Sequence, residues 1–163
     1  LERGVGHLLG SSLPVGGSGT HAVLSGHSGM AGQKMFTDLL QMKAGDIFYL
    51  HVLGETLAYE VDSLNTVLPH DTSLLGITDG SDQCTLITCT PIAVNSHRLL
   101  VTGHRIPFEA AKEIVEEAQL EETELESTWE QEYLRGLYIA IAIVLILFLI
   151  CIVVALLGRN KDV

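Results

Sequence analysis

Three residues of this 163-residue chain carry groups that together could run an acyl transfer: His27, Cys89 and Arg98. A thiolate is a nucleophile, an imidazole can hand a proton to a departing amine, and a guanidinium can hold the charge that develops on a carbonyl oxygen. Each is ordinary when taken alone. One histidine among seven is more often a surface or core residue, a free cysteine is commonly a small buried hydrophobe, and Arg98 could be a surface cation paired with a glutamate. Position in the predicted strands is what links them. His27 lies just past one strand, Cys89 at the end of another and Arg98 near the start of the next, and strand ends collect at the rim of a barrel. Alternation puts His97 on the face opposite Arg98, so only one of that pair is expected at the rim with Cys89.

The positioning elements follow from local pattern. Residues 10–20, GSSLPVGGSGT, read as a loop. A phosphate-binding reading of GGSGT lacks both the lysine and the helix that such a loop needs. HAVLSGH is a short strand ending at a glycine, and GMAGQKMFTDLLQM places Phe36, Leu39, Leu40 and Met42 as a short helix does. IFYLHVLGETLAYEV predicts two antiparallel strands about a two-residue turn at Gly54-Glu55, glycine first. CTLITCT is a strand that Pro91 must end, and HRLLVTGHRI is the strand after it. PFEAAKEIVEEAQLEE turns helical with Pro107 near the first turn, and the like charges of Glu113, Glu117 and Glu121 predict fraying at its end. The expected fold is therefore mainly β: an antiparallel β-barrel with short helices and no internal repeat.

Composition adds an anchor and removes one class of partner. From Leu137 to Leu157 run 21 residues without a charge, which at about 1.5 Å per residue span roughly 30 Å of hydrocarbon. The run is too long and too uniformly apolar for an ordinary buried core helix, so it predicts a transmembrane helix. Arg159 and Lys161 follow it, whereas Arg135 is the only cation just before it, so the tail is expected in the cytoplasm and residues 1–136 outside the cell. The expected divisions are a catalytic β-barrel at 1–108, an acidic helix and juxtamembrane linker at 109–136, the membrane helix at 137–157 and a cytoplasmic tail at 158–163. The segment Glu109 to Arg135 holds ten glutamates against Lys112 and Arg135 and so carries most of the net charge of −11. No basic patch remains to neutralise phosphates, which excludes nucleic acid as a partner. Cys84 and Cys89, five apart on one strand, point to opposite faces and are not expected to form a disulfide; Cys151 falls in the apolar run.

The stretch LITCTPIAVNSHRLLVTGHRI at 86–106 resembles the signature of class C sortases, the pilin-polymerising branch of that family, in which the catalytic cysteine lies in a Thr-Cys-Thr-Pro segment and the catalytic arginine follows nine residues later. HAVLSGHSGM at 21–30 is similar to the family's strand that delivers the catalytic histidine. GVGHLLGSSLPVGGSGTHAVLSGH and KAGDIFYLHVLGETLAYEVDSL match in kind, and a C-terminal anchor is a habit of this class. The resemblance covers roughly residues 3–118 and implies a sortase barrel in which Cys89 attacks the Thr-Gly carbonyl of an LPXTG-like sorting signal. His27 is then implied to protonate the leaving amine, Arg98 to hold the oxyanion, and a pilin lysine to resolve the thioester, with no metal or cofactor. Four positions depart from the pattern: Ile92 and Ala93 stand where tyrosine and glycine are usual, and Ser28 and Ala31 where arginine and proline are usual. The family's opening strands, its lid and a signal sequence are expected to precede Leu1, which marks the chain as an N-terminally truncated piece, poorly soluble alone. Two other readings are a housekeeping sortase, whose acceptor is a wall-precursor amine, and a non-catalytic membrane-anchored binding module in which His27 and Cys89 are structural. A zinc site lacks any CxxC or HxxxH pair.

Overall fold

The computed structural model describes residues 4–159, apart from the side chains of residues 124, 126, 127, 130 and 146–159. Arg159, Lys161 and Cys151, on which the expected orientation and the third thiol rest, lie outside these described side chains, as does the whole of the expected tail at 158–163. The chain divides into two compact units, Leu1–Val115 and Glu116–Val163.

Among the described residues of the first unit, six strands form one sheet. They are β1 (Gly6–His7), β2 (Thr20–Ser25), β3 (Ile47–Val52), β4 (Glu55–Val67), β5 (Asp82–Thr90) and β6 (His97–Ile106), in the order β1-β2-β5-β6-β4-β3. The mainly-β expectation holds, but the all-antiparallel pattern does not. β2 and β5 run parallel, in register from Thr20↔Asp82 to Ser25↔Ile87, while every other pairing is antiparallel. Parallel strands need a long crossover. Residues 26–81, which include the β3–β4 hairpin, supply it and thereby bring the end of β2 beside the end of β5.

Both faces of the sheet bury side chains. Ala22, Phe48, Leu57, Tyr59, Val61, Cys84, Leu86, Leu99 and Val101 form the main core on one face. Alternate residues Ala58 and Ile106 meet Ala111 on the other, where Ile47, Tyr49 and Ile114 pack around them. Ala111 and Ile114 belong to the start of helix α1 (Phe108–Arg159), whose Phe108 ring stands edge-on to Tyr49 at 5.9 Å. Fully burying a side chain of valine or leucine size contributes about 1.5–3 kcal/mol, so this two-sided burial fixes strand register, since a one-residue slip exchanges the faces. Gly103 marks the closest approach in the sheet: a Cβ there would lie 2.5 Å from the Glu60 carbonyl and 3.0 Å from the Phe48 ring.

Three local expectations are corrected. The hairpin turn is Leu53-Gly54, not Gly54-Glu55, with φ of 51° and 85° and with Val52 opposite Glu55. Positive φ at both central residues matches the right-handed strand twist, and this geometry outweighs the poor fit of leucine to it. The short helix is a 3₁₀ turn, Thr37–Gln41, preceded by a loop, because Gly29 and Gly32 sit at φ 70° and 79° and interrupt any helix there. The helix does not end after Glu113, Glu117 and Glu121: α1 is continuous from Phe108 to Arg159. Exposed like-charge pairs cost only about 0.2–0.5 kcal/mol each, too little to stop propagation.

The second unit continues α1 with exposed glutamates and then the apolar run. Among the described residues no helix is long and apolar enough to cross a membrane. The expected span Leu137–Leu157 is helical, and its half beyond residue 145 lies outside the described side chains.

Candidate active site

The site is built where β2, β5 and β6 end together. Beyond Ser25 the ladder to β5 continues for one more bond, as the Gly26 N–H donates to the Ile87 carbonyl at 3.0 Å. Side chains then take over. The buried Thr88 hydroxyl donates to the Gly26 carbonyl at 2.9 Å, and the Ser28 hydroxyl donates to the Cys89 carbonyl at 2.6 Å. His27, between Gly26 and Ser28, is held through its own carbonyl, which accepts from the Phe36 N–H at 2.9 Å. Gly26 has to be glycine here, because a Cβ would meet the Phe36 ring at 2.8 Å.

Cys89 and Arg98 are direct partners across β5 and β6. The Ile87 and Cys89 carbonyls both point to the β2 side, so the Cys89–Arg98 pair exchanges no backbone hydrogen bonds. In such pairs the side chains stand closest, with Cβ atoms about 4.5–5.5 Å apart. Thr90 is opposite His97, so His97 takes the other face, as alternation requires. The Arg98 guanidinium donates to the carbonyls of Asn95 at 3.1 Å and His97 at 2.9 Å. Those bonds use a single nitrogen, Nη1, and leave donors elsewhere on the fork. The loop that offers these carbonyls follows a cis Thr90–Pro91 bond and holds Ala93 and Asn95 at φ 68° and 58°. One cavity of about 270 Å³ is lined by His27, Cys89 and Arg98 together with Ser25, Gly26, Ile87 and Thr88. The structure thus brings all three predicted residues to one opening.

The family profile of the sortase domain matches residues 1–106. The chain belongs to the sortase family. Among solved structures, this sortase is similar to sortase C-1 of Actinomyces oris, at 56% identity and a TM-score of 0.64 over 66% of this chain and 60% of that one. It is likewise similar to the pilus-related Sortase C of Group B Streptococcus, at 50% identity and a TM-score of 0.65 over 67% of this chain and 56% of that one. A curated relative, Sortase A of Bacillus anthracis, is 33% identical over 96 residues, which are 59% of this chain and 45% of that protein. The chain therefore spans about half the length of the relatives it matches. Sortases are cysteine transpeptidases, and the likenesses to solved structures named sortase C are those expected of a class C member.

The two described cysteines of this sortase differ sharply. Cys89 is half-buried at the cavity, whereas Cys84 is fully buried, and burial, reinforced by the nearby Asp82 carboxylate, pushes its thiol up to about 12. A thiol so placed is inert. Asp82 itself, at the far end of β5, accepts from the Tyr59 hydroxyl at 3.0 Å and from the Gly17 N–H at 2.7 Å. It pins the 14–19 loop and holds Tyr59, with burial as the larger cause, well above the ordinary phenol range. The buried His21 is likewise structural: it bonds the Gly76 carbonyl at 2.8 Å and the Thr85 hydroxyl at 2.7 Å, tying the β4–β5 loop to the sheet. From the sequence, Ser28 stood out only as a departure from the family pattern and Thr88 not at all, and neither was given a role at the site. Their only signal was adjacency, a hydroxyl residue next to each of the two reactive side chains.

Proposed function

We propose that this sortase cleaves an LPXTG-like sorting signal between threonine and glycine and transfers the threonyl group to an amine, with Cys89 as nucleophile, His27 as acid and base and Arg98 as oxyanion stabiliser. The supporting observation is the shared cavity, in which a half-buried thiol, an imidazole and a guanidinium line one opening and the first and third are register partners. The Cys89 sulfur bonds to the threonine carbonyl carbon, the C–N bond to glycine breaks, and His27 supplies the proton that the departing amine takes. The incoming amine then attacks the thioester, gives up a proton and frees the thiol. None of these steps draws on a metal or cofactor. The likeness to sortases named for pili supports a pilin lysine as the acceptor. In a housekeeping sortase the acceptor is a wall-precursor amine, and competition between a lysine-bearing pilin peptide and such an amine distinguishes the two.

The apolar run 137–157 serves in this reading as a membrane helix, with the cavity outside the cell and residues 158–163 in the cytoplasm. The exposed apolar side chains of Leu137, Tyr138, Ile139, Ile141, Ile143, Val144 and Leu145 support it, since a helix so apolar around its circumference needs lipid as solvent. Incubation of the intact protein with a sorting-signal peptide and an amine tests the chemistry. The expected products are the released glycine-bearing fragment and a threonyl amide of the added amine. A membrane-anchored binding module predicts peptide bound and unchanged.

A further inference from the structure

We propose that the Ser28 hydroxyl is the positioning group that sets the His27 imidazole against the Cys89 thiol. This role deepens the reading of the site as an acyl-transfer centre and rests on it. His27 lies past the last backbone bond between β2 and β5, the one from Gly26 to Ile87. After that point the two chains separate, and nothing in the parallel ladder fixes how far a residue at 27 stands from one at 89. Two hydroxyl bonds span the gap, one on each side of His27. Thr88 reaches back to the Gly26 carbonyl at 2.9 Å, and Ser28 reaches forward to the carbonyl of Cys89 itself at 2.6 Å. The forward bond joins the residue next to the imidazole to the residue that bears the sulfur, so it constrains their separation more directly than any other contact there. Gly29 continues the seam, since a Cβ on it would clash with the side chain of Ile92, three residues past Cys89. Ser28 and Ile92, two positions where this chain departs from the usual class C pattern, thus take part in neighbouring contacts along one seam, Ser28 with Cys89 and Ile92 with Gly29.

The hydroxyl does not line the cavity among the reacting groups; it acts through the main chain of Cys89. Its loss therefore leaves substrate binding largely intact and degrades the alignment of acid and nucleophile, where a displacement of about 1 Å can cost ~100-fold in rate. Ser28→Thr keeps the donor, whereas Ser28→Val has nearly the same shape and lacks it.

The intact protein and its Ser28→Ala, Ser28→Val and Ser28→Thr variants are compared by two readouts. The first is kcat and KM for cleavage of a sorting-signal peptide. The second, independent of turnover, is the pH dependence of Cys89 alkylation by iodoacetamide, located by peptide mass spectrometry, with His27→Ala as the reference in which the imidazole is gone. The titratable and charged groups that line the cavity with that thiol are His27 on the segment after β2 and Arg98 on β6, while His97 lies on the opposite face. For the alanine and valine variants the expected result is a fall in kcat of about 10–100-fold with little change in KM, and an alkylation profile moved toward that of His27→Ala. The threonine variant is expected to restore both. Wild-type kcat and an unmoved profile in Ser28→Val, or a Thr variant as impaired as Val, overturn the proposal. Absence of cleavage by wild type refutes the acyl-transfer reading, and the alkylation profiles then decide the positioning role alone.

Discussion

At the scale of single residues, the site depends on a few groups whose removal has separable effects. Cys89→Ala is expected to abolish peptide cleavage, since among the described residues no other thiol lines the cavity and Cys84 is buried on the far face of β5. His27→Ala is expected to lower kcat by ~100-fold or more, and Arg98→Ala by about 100–1,000-fold as the oxyanion loses its donor. Steady-state cleavage rates check all three. Cys84 makes a prediction of its own. Burial lifts its thiol from an ordinary 9.0 to about 12, so above pH 9 the unfolded chain sheds a proton that the folded one keeps. Stability is then fully present below about pH 9 and is lost as pH rises through 12, by a few kcal/mol. Tyr59, raised by burial and by Asp82, acts in the same direction. Thermal melts between pH 8 and 11 are expected to show a falling Tm, with a shallower slope in Cys84→Ala. The juxtaposition of His27, Cys89 and Arg98 was legible because the resemblance of 21–30 and 86–106 to class C sortases joined three residues that strand ends, placed from prolines, glycines and alternation, only suggested singly. The hydroxyl bonds of Ser28 and Thr88 were not, since serine and threonine beside a strand end suit solvent, a cap or a clamp equally well until the neighbouring chain is in place.

At the scale of elements, strand identity was readable and strand partnership was not. The alternation in HRLLVTGHRI matches β6 from His97 to Ile106, yet nothing local reveals that β2 runs parallel to β5. That pairing is decided by the 56 residues between them and by the two-sided burial that a central position allows. Turns show the same limit. Leucine is a poor residue for φ 51°, so the sequence pointed one position too far along the hairpin, whereas register between β3 and β4 decided it. Leu53 is 90% exposed, so Leu53→Asn forfeits no packing and supplies a residue suited to this turn. A gain of about 1 kcal/mol in urea unfolding is expected. Ala93, at φ 68° where the family usually has glycine, carries comparable strain in the loop that holds Arg98. Ala93→Gly is expected to gain about 0.5–1 kcal/mol by the same measurement. Gly103→Ala runs the other way, because its methyl must displace the Glu60 carbonyl, and a loss of about 1–3 kcal/mol is expected.

At the scale of the whole molecule, the chain separates into a region that builds a site and a region that forms a long helix. The first, through residue 106, matches the sortase domain. The second is one continuous helix in which glutamates give way to 21 uncharged residues. If that run is a membrane helix, cells expressing the protein are expected to hold it in the membrane fraction through carbonate washing, and a version ending at residue 136 is expected to leave that fraction. The central claim concerns chemistry, and it is tested most directly by trapping the covalent state. The intact protein is mixed with a sorting-signal peptide in the absence of an acceptor amine, quenched in acid and digested for mass spectrometry. The account predicts the peptide that spans 82–98 to carry the mass of the threonyl fragment on Cys89, sensitive to hydroxylamine and missing in His27→Ala. An unmodified Cys89 with the sorting signal nevertheless cleaved would contradict it.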